Sequence, residues 1–335
     1  MWTVFQTHQL VGLVFLGLAL NWTGALEARE PGKPNVILIL ADDLGYSDVG
    51  FQGGNDIPTP HLDSLARGGV RCTNGYASHP FCSPTRAGIM TGRYQHRFGH
   101  ENNPAFDPKN ARLGLPLDQV TIADAVKAAG YATGAIGKWH LGAEPRLLPT
   151  RRGFTEFFGF PGGGHDYFQA QRQPAAREYL TPILRGEQPV EEKEYLTRAF
   201  SREAVEFITR HKDHPFFLYL AYNAVHTPLQ APPADLANVA GIDDPKRKPY
   251  AAMLKVLDEG VGQVLDALKR VNLERDTLVV FLSDNGGPPS ANGSRNLPLR
   301  AAKGALYEGG VRVPFVFRWP GVLPEGVTYD QPVCS

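Results

Sequence analysis

Cysteine is scarce: Cys72, Cys82 and Cys334 are the only three in 335 residues. So low and odd a count excludes a disulfide-stapled scaffold and leaves at least one thiol over. Whether Cys72 and Cys334 pair is open at this level. Long hydrophobic runs are also missing. The apolar stretch at residues 10–20 has 11 residues, short of the ~20 that cross a bilayer as a helix, so no stable membrane span is expected. Neither sign of charge is in excess, with 34 Lys plus Arg against 34 Asp plus Glu. That balance excludes a general attraction to nucleic acid or anionic membranes, and an anionic ligand must be met by charge arranged locally. No internal repeat is present, which excludes a solenoid.

What is present at the N-terminus reads as an export signal over residues 1–28. It has a short apolar core and small residues, Ala25 and Ala28, at candidate cleavage points, although residues 1–9 carry no Lys or Arg. A signal anchor is the alternative. The expected destination is periplasmic or extracellular, or lysosomal along a eukaryotic secretory route. Asn292-Gly293-Ser294 is a formal glycosylation sequon for such a route.

With 36 Gly and 28 Pro, the remainder is expected to hold many ordered loops. Its length suits one large α/β domain or two smaller ones. Residues 35–41 (Asn-Val-Ile-Leu-Ile-Leu-Ala) and 277–282 (Thr-Leu-Val-Val-Phe-Leu) are continuous apolar runs, as in strands covered on both faces. Further strands are expected at 131–137, 216–222 and 313–317, with an extended segment at 70–76. Helices are expected at 60–67, 121–129, 196–208 and around 253–268, while the glycine- and aromatic-rich residues 151–168 read as a loop excursion. Strands alternating with helices predict a mostly parallel central sheet with helices on both faces. Polar clusters follow several strand C-termini, where open α/β sheets place their ligands.

The stretch that concentrates chemistry is residues 81–94, with Cys82-x-Pro84-x-Arg86 at its heart and Gly92-Arg93 closing it. Pro84 suits the first turn of a helix. Cys82 then lies at the helix N-terminus, where free N–H groups favour negative charge, and Arg86 lies one turn on, on the same face. A nucleophile, an anion-friendly helix end and a fixed cation suit a tetrahedral oxyanion. The plain alternative is a buried, inert Cys82 and a surface Arg86. Asp42-Asp43 and Asp284-Asn285, each after a buried strand, supply oxygen donors that suit Ca²⁺, or less well Mg²⁺, rather than Zn²⁺.

Residues 81–94, including Thr91-Gly92-Arg93, resemble the signature of the sulfatase family, of the alkaline-phosphatase-like superfamily. Gly137-Lys138-Trp139-His140-Leu141-Gly142 resembles its second signature, and His226 and Lys303 also match. The likeness extends over residues 35–332. It implies an alkaline-phosphatase-like fold and oxidation of Cys82 to formylglycine by a formylglycine-generating or sulfatase-maturating enzyme. It also implies a metal site of Asp42, Asp43, residue 82, Asp284 and Asn285, with Cys82, Arg86, Lys138, His140, His226 and Lys303 as catalytic residues. The implied reaction is hydrolysis of a sulfate monoester, with hydrated formylglycine attacking sulfur and His140 as the base that later releases sulfate. His226 and Lys303 would hold sulfate and protonate the leaving oxygen. Segments 93–100 and 153–168 resemble those of arylsulfatases and N-acetylgalactosamine-6-sulfatase-like enzymes, which implies a sulfated carbohydrate or aryl sulfate ester as substrate. In Gly162-Gly163-Gly164-His165-Asp166, His165 and Asp166 are candidates for reading sugar hydroxyls, against a purely structural glycine loop. Two rivals stand beside this reading. One is a phosphatase or phosphodiesterase of the same superfamily, which would call for a Ser or Thr nucleophile and a His-rich two-zinc site. The other is a non-catalytic sulfoglycan-binding protein with Cys82 unmodified. The catalytic domain is expected over 35–335, without the smaller C-terminal subdomain that sulfatases usually carry.

Overall fold

In the computed structural model, residues 32–168 and 178–335 are described. The expected signal segment, residues 1–28, lies outside them. The strands are β1 (Asn35–Ala41), β2 (Val70–Cys72), β3 (Gly75–Tyr76), β4 (Ala132–Lys138), β5 (Glu156–Phe160), β6 (Ile183–Arg185), β7 (Gln188–Val190), β8 (Phe216–Ala221), β9 (Thr277–Ser283), β10 (Phe315–Arg318), β11 (Val327–Tyr329) and β12 (Val333–Cys334). The helices are α1 (Pro60–Arg67), α2 (Cys82–Thr91), α3 (Ile122–Ala128), α4 (Leu196–Arg210), α5 (Pro233–Ala237), α6 (Arg247–Arg270), α7 (Pro289–Asn292) and α8 (Glu308–Val311). Ten strands form one sheet in the order β11-β2-β10-β9-β1-β8-β4-β5-β6-β7, and β3 pairs with β12 apart from it. The centre, β9-β1-β8-β4-β5, is parallel throughout. Antiparallel pairs flank it, β10 on β9 at one side and β6 on β5 at the other.

Alternation along the strands decides what each face meets. Ile37 and Ile39 of β1, with Leu218 and Leu220 of β8, join a core built with α1, α4 and α6. Leu38 and Leu40, with Phe217 and Tyr219, face the other way toward Ala87 and Met90 of α2 and Ala123 of α3. Because both faces are covered, the central strands read as continuous apolar runs.

Close approach between layers is made possible by missing side chains. A Cβ on Gly260 of α6 would meet Ser201 Oγ of α4 at 2.2 Å, and one on Gly134 of β4 would meet the Phe207 ring at 2.6 Å.

The expected elements are present within a residue or two at their ends, except that the helix expected around 253–268 begins six residues earlier, at Arg247, and with one correction. Residues 151–168 are not simply a loop: they contain β5, a strand of the parallel centre. Phe157, Phe158 and Phe160 are each at most 3% exposed, so this segment is covered on both faces. The surrounding glycines masked its strand character, since glycine ordinarily interrupts strands. Two short strands, β11 and β12, also follow β10. Cys72 and Cys334 are both free, the first buried and the second exposed. No described helix is long and apolar enough to cross a membrane.

Phe207 links α4 to this sheet, its ring 5.7 Å from that of Phe216 in an edge-on contact. Phe207→Ala should destabilise the fold by about 3–5 kcal/mol through lost transfer energy and an unfilled cavity. Denaturant unfolding measures this; a loss below about 1 kcal/mol would mean that the layer collapses readily around the gap.

Candidate active site

The polar groups that follow β1, β4, β8 and β9 converge at the C-terminal edge of the sheet, over the first turn of α2. The chain enters α2 from Phe81 in an extended conformation (φ −130°, ψ 153°), and Cys82 is the first helical residue. Within α2, Cys82, Pro84 and Arg86 are all buried. Ligand atoms of Asp42, Asp43, Cys82 and Asp284 lie within 4.8 Å of one another.

Three cations meet these three carboxylates. Lys138 Nζ is 2.5 Å from Asp42 Oδ2, and Lys303 Nζ is 2.5 Å from Asp43 Oδ1. Arg86 donates to Asp284 Oδ2 from both Nε (3.1 Å) and Nη2 (2.8 Å). Its Nη1 donates to the Lys138 carbonyl at 3.0 Å and lies 3.4 Å from Tyr219 Oη. Residue 82 sits inside this set, with Sγ 3.2 Å from Lys303 Nζ and 3.5 Å from Asp42 Oδ1. His226 Nε2 is 3.7 Å from Asp43 Oδ2, and His226 Nδ1 donates to the Thr227 carbonyl at 2.7 Å.

Burial and pairing pull the titrations in opposite directions. Burial pushes Asp42 up, but Lys138, His226 and Arg86 together hold it below its ordinary value. Burial likewise opposes Asp43, yet Lys303 and His226 keep it low. Burial, then Asp284, pushes the Cys82 thiol up to about 12. A thiol so raised is almost wholly protonated at neutral pH and a poor nucleophile. His140 is driven well below its ordinary value by burial and by Lys138, Arg86, His226 and Lys303, so it is held as a neutral imidazole.

The donor set fits a hard divalent cation. Asp42, Asp43 and Asp284 offer carboxylate oxygens, and Asn285 Oδ1 is buried without a hydrogen-bond partner. The amide nitrogen of Asn285 is already given to Asp43 Oδ1 at 2.7 Å and to the Gly286 carbonyl, which aims the oxygen elsewhere. An unpaired buried amide oxygen costs about 1–3 kcal/mol, and a cation ligated there would relieve it. With three carboxylates already offset by Arg86, Lys138 and Lys303, a divalent ion would leave the site net positive and matched to an anion.

His140 has φ 59° and Asp43 φ 61°, left-handed values that side chains rarely adopt. His140 Nδ1 is buried without a partner. The loop candidates behave otherwise. His165 is fully buried, with Nδ1 2.6 Å from the Asp166 carbonyl, Nε2 2.6 Å from the Thr181 carbonyl and its ring against Phe160. No ring nitrogen is left for a sugar hydroxyl, so the expectation for His165 gives way to a packing role. Asp166 accepts from Gln230 Nε2 at 2.8 Å and from the Phe168 N–H at 2.9 Å, tying two loops. Asn292, in the sequon, is fully buried and donates to the carbonyls of Asp43 and Val225, so the folded chain offers no glycosylation acceptor there.

Ser83, His100 and Tyr219 were not singled out from the sequence, and Asn292 was read there only as part of a sequon. Ser83 lies inside the Cys82–Arg86 signature, and its neighbour in sequence could have drawn attention to it; the others are joined to the site only by folding.

A statistical model of the Sulfatase family matches residues 34–335. Arylsulfatase J of Mus musculus is 39% identical over 90% of this chain and 52% of its own length. N-acetylgalactosamine-6-sulfatase of Mus musculus is 34% identical over 94% and 62%. Among solved structures, Ps i-CgsB in complex with k-i-k-neocarrahexaose superposes with a TM-score of 0.86 at 46% identity, over 90% of this chain and 69% of that one. The chain thus spans between about half and two thirds of the length of these curated relatives.

Saturating Ca²⁺ should raise the melting temperature of the purified protein, by the equivalent of about 2.7 kcal/mol at a hundredfold excess over Kd. Asn285→Ala should shrink that shift, and Zn²⁺ should give less of it. No shift with any divalent cation would sink the oxygen-cage reading.

Proposed function

The chain belongs to the sulfatase family, and from that premise we propose that it hydrolyses sulfate monoesters of a carbohydrate, with residue 82 as nucleophile after oxidation of Cys82 to formylglycine. The observation that carries this reading is the setting of Cys82: first in α2, 3.2 Å from the Lys303 ammonium, among three carboxylates and three cations. Formylglycine, once hydrated, supplies an attacking hydroxyl and a second one in place of the thiol. A divalent cation, Ca²⁺ in this proposal, supplies stabilisation of negative charge on the ester oxygens and would be held by Asp42, Asp43, Asp284, Asn285 and residue 82.

The chain's own residues do the rest. Arg86 and Lys138 are rigidly held and present fixed positive charge beneath the reacting group. Lys303 Nζ, 2.5 Å from Asp43 Oδ1 and 3.2 Å from Cys82 Sγ, sets a positive charge beside the leaving oxygen. His226, its Nδ1 donating to the Thr227 carbonyl, turns Nε2 into the site 3.7 Å from Asp43 Oδ2 and protonates the leaving oxygen from Nε2 in its imidazolium form. His140, held neutral, takes a proton from residue 82.

Carbohydrate as substrate class is supported by the 46%-identical neighbour solved with k-i-k-neocarrahexaose and by the N-acetylgalactosamine-6-sulfatase relatives. We place the protein outside the cytoplasm, in keeping with residues 1–28, and assign its maturation to a formylglycine-generating partner. An unmodified Cys82, with its thiol at about 12, would leave a protein that binds sulfated sugars without turning them over.

Peptide mass spectrometry should find residue 82 as formylglycine after expression with a maturating enzyme. Cys82→Ala should then lose aryl sulfate turnover by at least about a thousandfold, with melting within a few degrees of the parent. Turnover near the parent rate in this variant would overturn the mechanism.

A further inference from the structure

His140 is held at both ends of its own backbone. Its N–H donates to the Pro161 carbonyl at 3.1 Å, beyond the end of β5. On the other side, its carbonyl accepts from Ser83 Oγ at 2.5 Å. Ser83 follows residue 82 directly in α2, so this bond ties the helix end that carries the nucleophile to the turn that carries the base. The turn needs holding, because His140 stands at φ 59°, a conformation that costs a non-glycine residue about 1 kcal/mol or more.

A second group stands behind the tie. His100 Nε2 lies 2.7 Å from Ser83 Oγ, and its Nδ1 lies 3.2 Å from the Gly114 carbonyl. Ser83 and His100 are both buried, at 0% and 6% exposure, so neither trades these bonds with water. Ser83 and a neutral His100 bring two protons to three contacts, and distance decides among them. A carbonyl only accepts, so the Ser83 hydroxyl proton goes to His140 across the shortest contact, 2.5 Å. The Ser83 oxygen then accepts from His100 Nε2–H, and the longest contact, Nδ1 to the Gly114 carbonyl at 3.2 Å, is the one left without a proton. The Ser83 backbone is fixed as well, its N–H donating to Asn103 Oδ1 at 3.0 Å.

We propose that Ser83 and His100 form a positioning relay, His100 Nε2–H to Ser83 Oγ–H to the His140 carbonyl, that sets the base against the nucleophile. The proposal rests on the reading of residues 82 and 140 given above. Neither residue touches the reacting atoms. Their effect is on how often His140 is in register, which enters kcat and leaves substrate affinity alone.

The relay is testable through chemical mimicry. Gln can present an N–H near the place of Nε2, whereas Leu cannot. In protein whose residue 82 has been verified as formylglycine by mass spectrometry, His100→Leu should lower kcat on an aryl sulfate about tenfold with KM within twofold. His100→Gln should recover most of that loss, and Ser83→Thr, which keeps the hydroxyl, should exceed Ser83→Ala. Since His100 lies outside the modification signature, its pair of variants decides the matter even if Ser83→Ala is poorly converted. A readout independent of turnover is ¹⁵N-imidazole NMR of the Cys82→Ala protein, with the His100 signals assigned by difference from the further His100→Gln variant. The expected form carries its proton on Nε2. A ring protonated on Nδ1 alone, equal kcat in His100→Leu and the parent, or a Gln variant no better than Leu would each overturn the relay. Absence of any sulfatase turnover in the fully converted parent would instead strike the functional reading, while the NMR result would still report on the hydrogen-bond relay.

Discussion

Asp42, Asp43 and Asp284 are at most 2% exposed at the C-terminal ends of β1 and β9, two strands hydrogen-bonded in register from Asn35–Thr277 to Ala41–Ser283. Carboxylates this close and this dry repel one another and resist ionisation unless cations answer them. Arg86, Lys138 and Lys303 do so from three separate elements: α2, β4 and the loop before α8. The network therefore joins distant parts of the chain by a requirement of charge neutrality. Removing one member leaves an uncompensated buried charge, a loss of about 3–5 kcal/mol where such cases have been measured.

The same neutrality accounts for the inertness of the thiol. Lys138 and Lys303 favour a thiolate at residue 82, but burial and the nearby carboxylates oppose it more strongly and hold the thiol up to about 12. A site built to receive an anion near fixed carboxylates is a poor place to generate one from cysteine. An oxygen nucleophile whose proton can be handed to a neutral imidazole avoids that conflict. In the proposed reaction His140 is that imidazole, kept unprotonated by the same burial and cations.

Much of this was legible in sequence because it depends on local order. The Cys82–Arg86 spacing anticipates one helix face, and the apolar runs ending in Asp42-Asp43 and Ser283-Asp284 anticipate buried strands with acidic ends. What was hidden depends on pairing across the fold. Strand β5 sits in a glycine-rich segment, and only its place beside β4 makes Phe157, Phe158 and Phe160 buried on both faces. His165 has the look of a ligand-facing residue in a flexible loop, yet backbone carbonyls claim both its nitrogens. The sequon at Asn292 is intact as a pattern and closed as a site, because its amide holds the turn at Asp43. Ser83 meets His100 and His140 only after α2 is set against the ends of β4 and β5.

Arg86 shows why residue type matters as much as charge here. Its five N–H groups lie in one rigid plane. Two of its nitrogens meet Asp284, and the third faces the Lys138 carbonyl and Tyr219 Oη. One guanidinium thus joins α2 to β4, β8 and the end of β9. A lysine at this position would conserve the charge but could not span those directions from a single ammonium, and its fully buried setting offers no water to satisfy the groups left behind. Position 86 therefore has two demands, a positive charge that answers the buried carboxylates and a planar fork that fixes the helix carrying residue 82, and arginine alone among the side chains meets both.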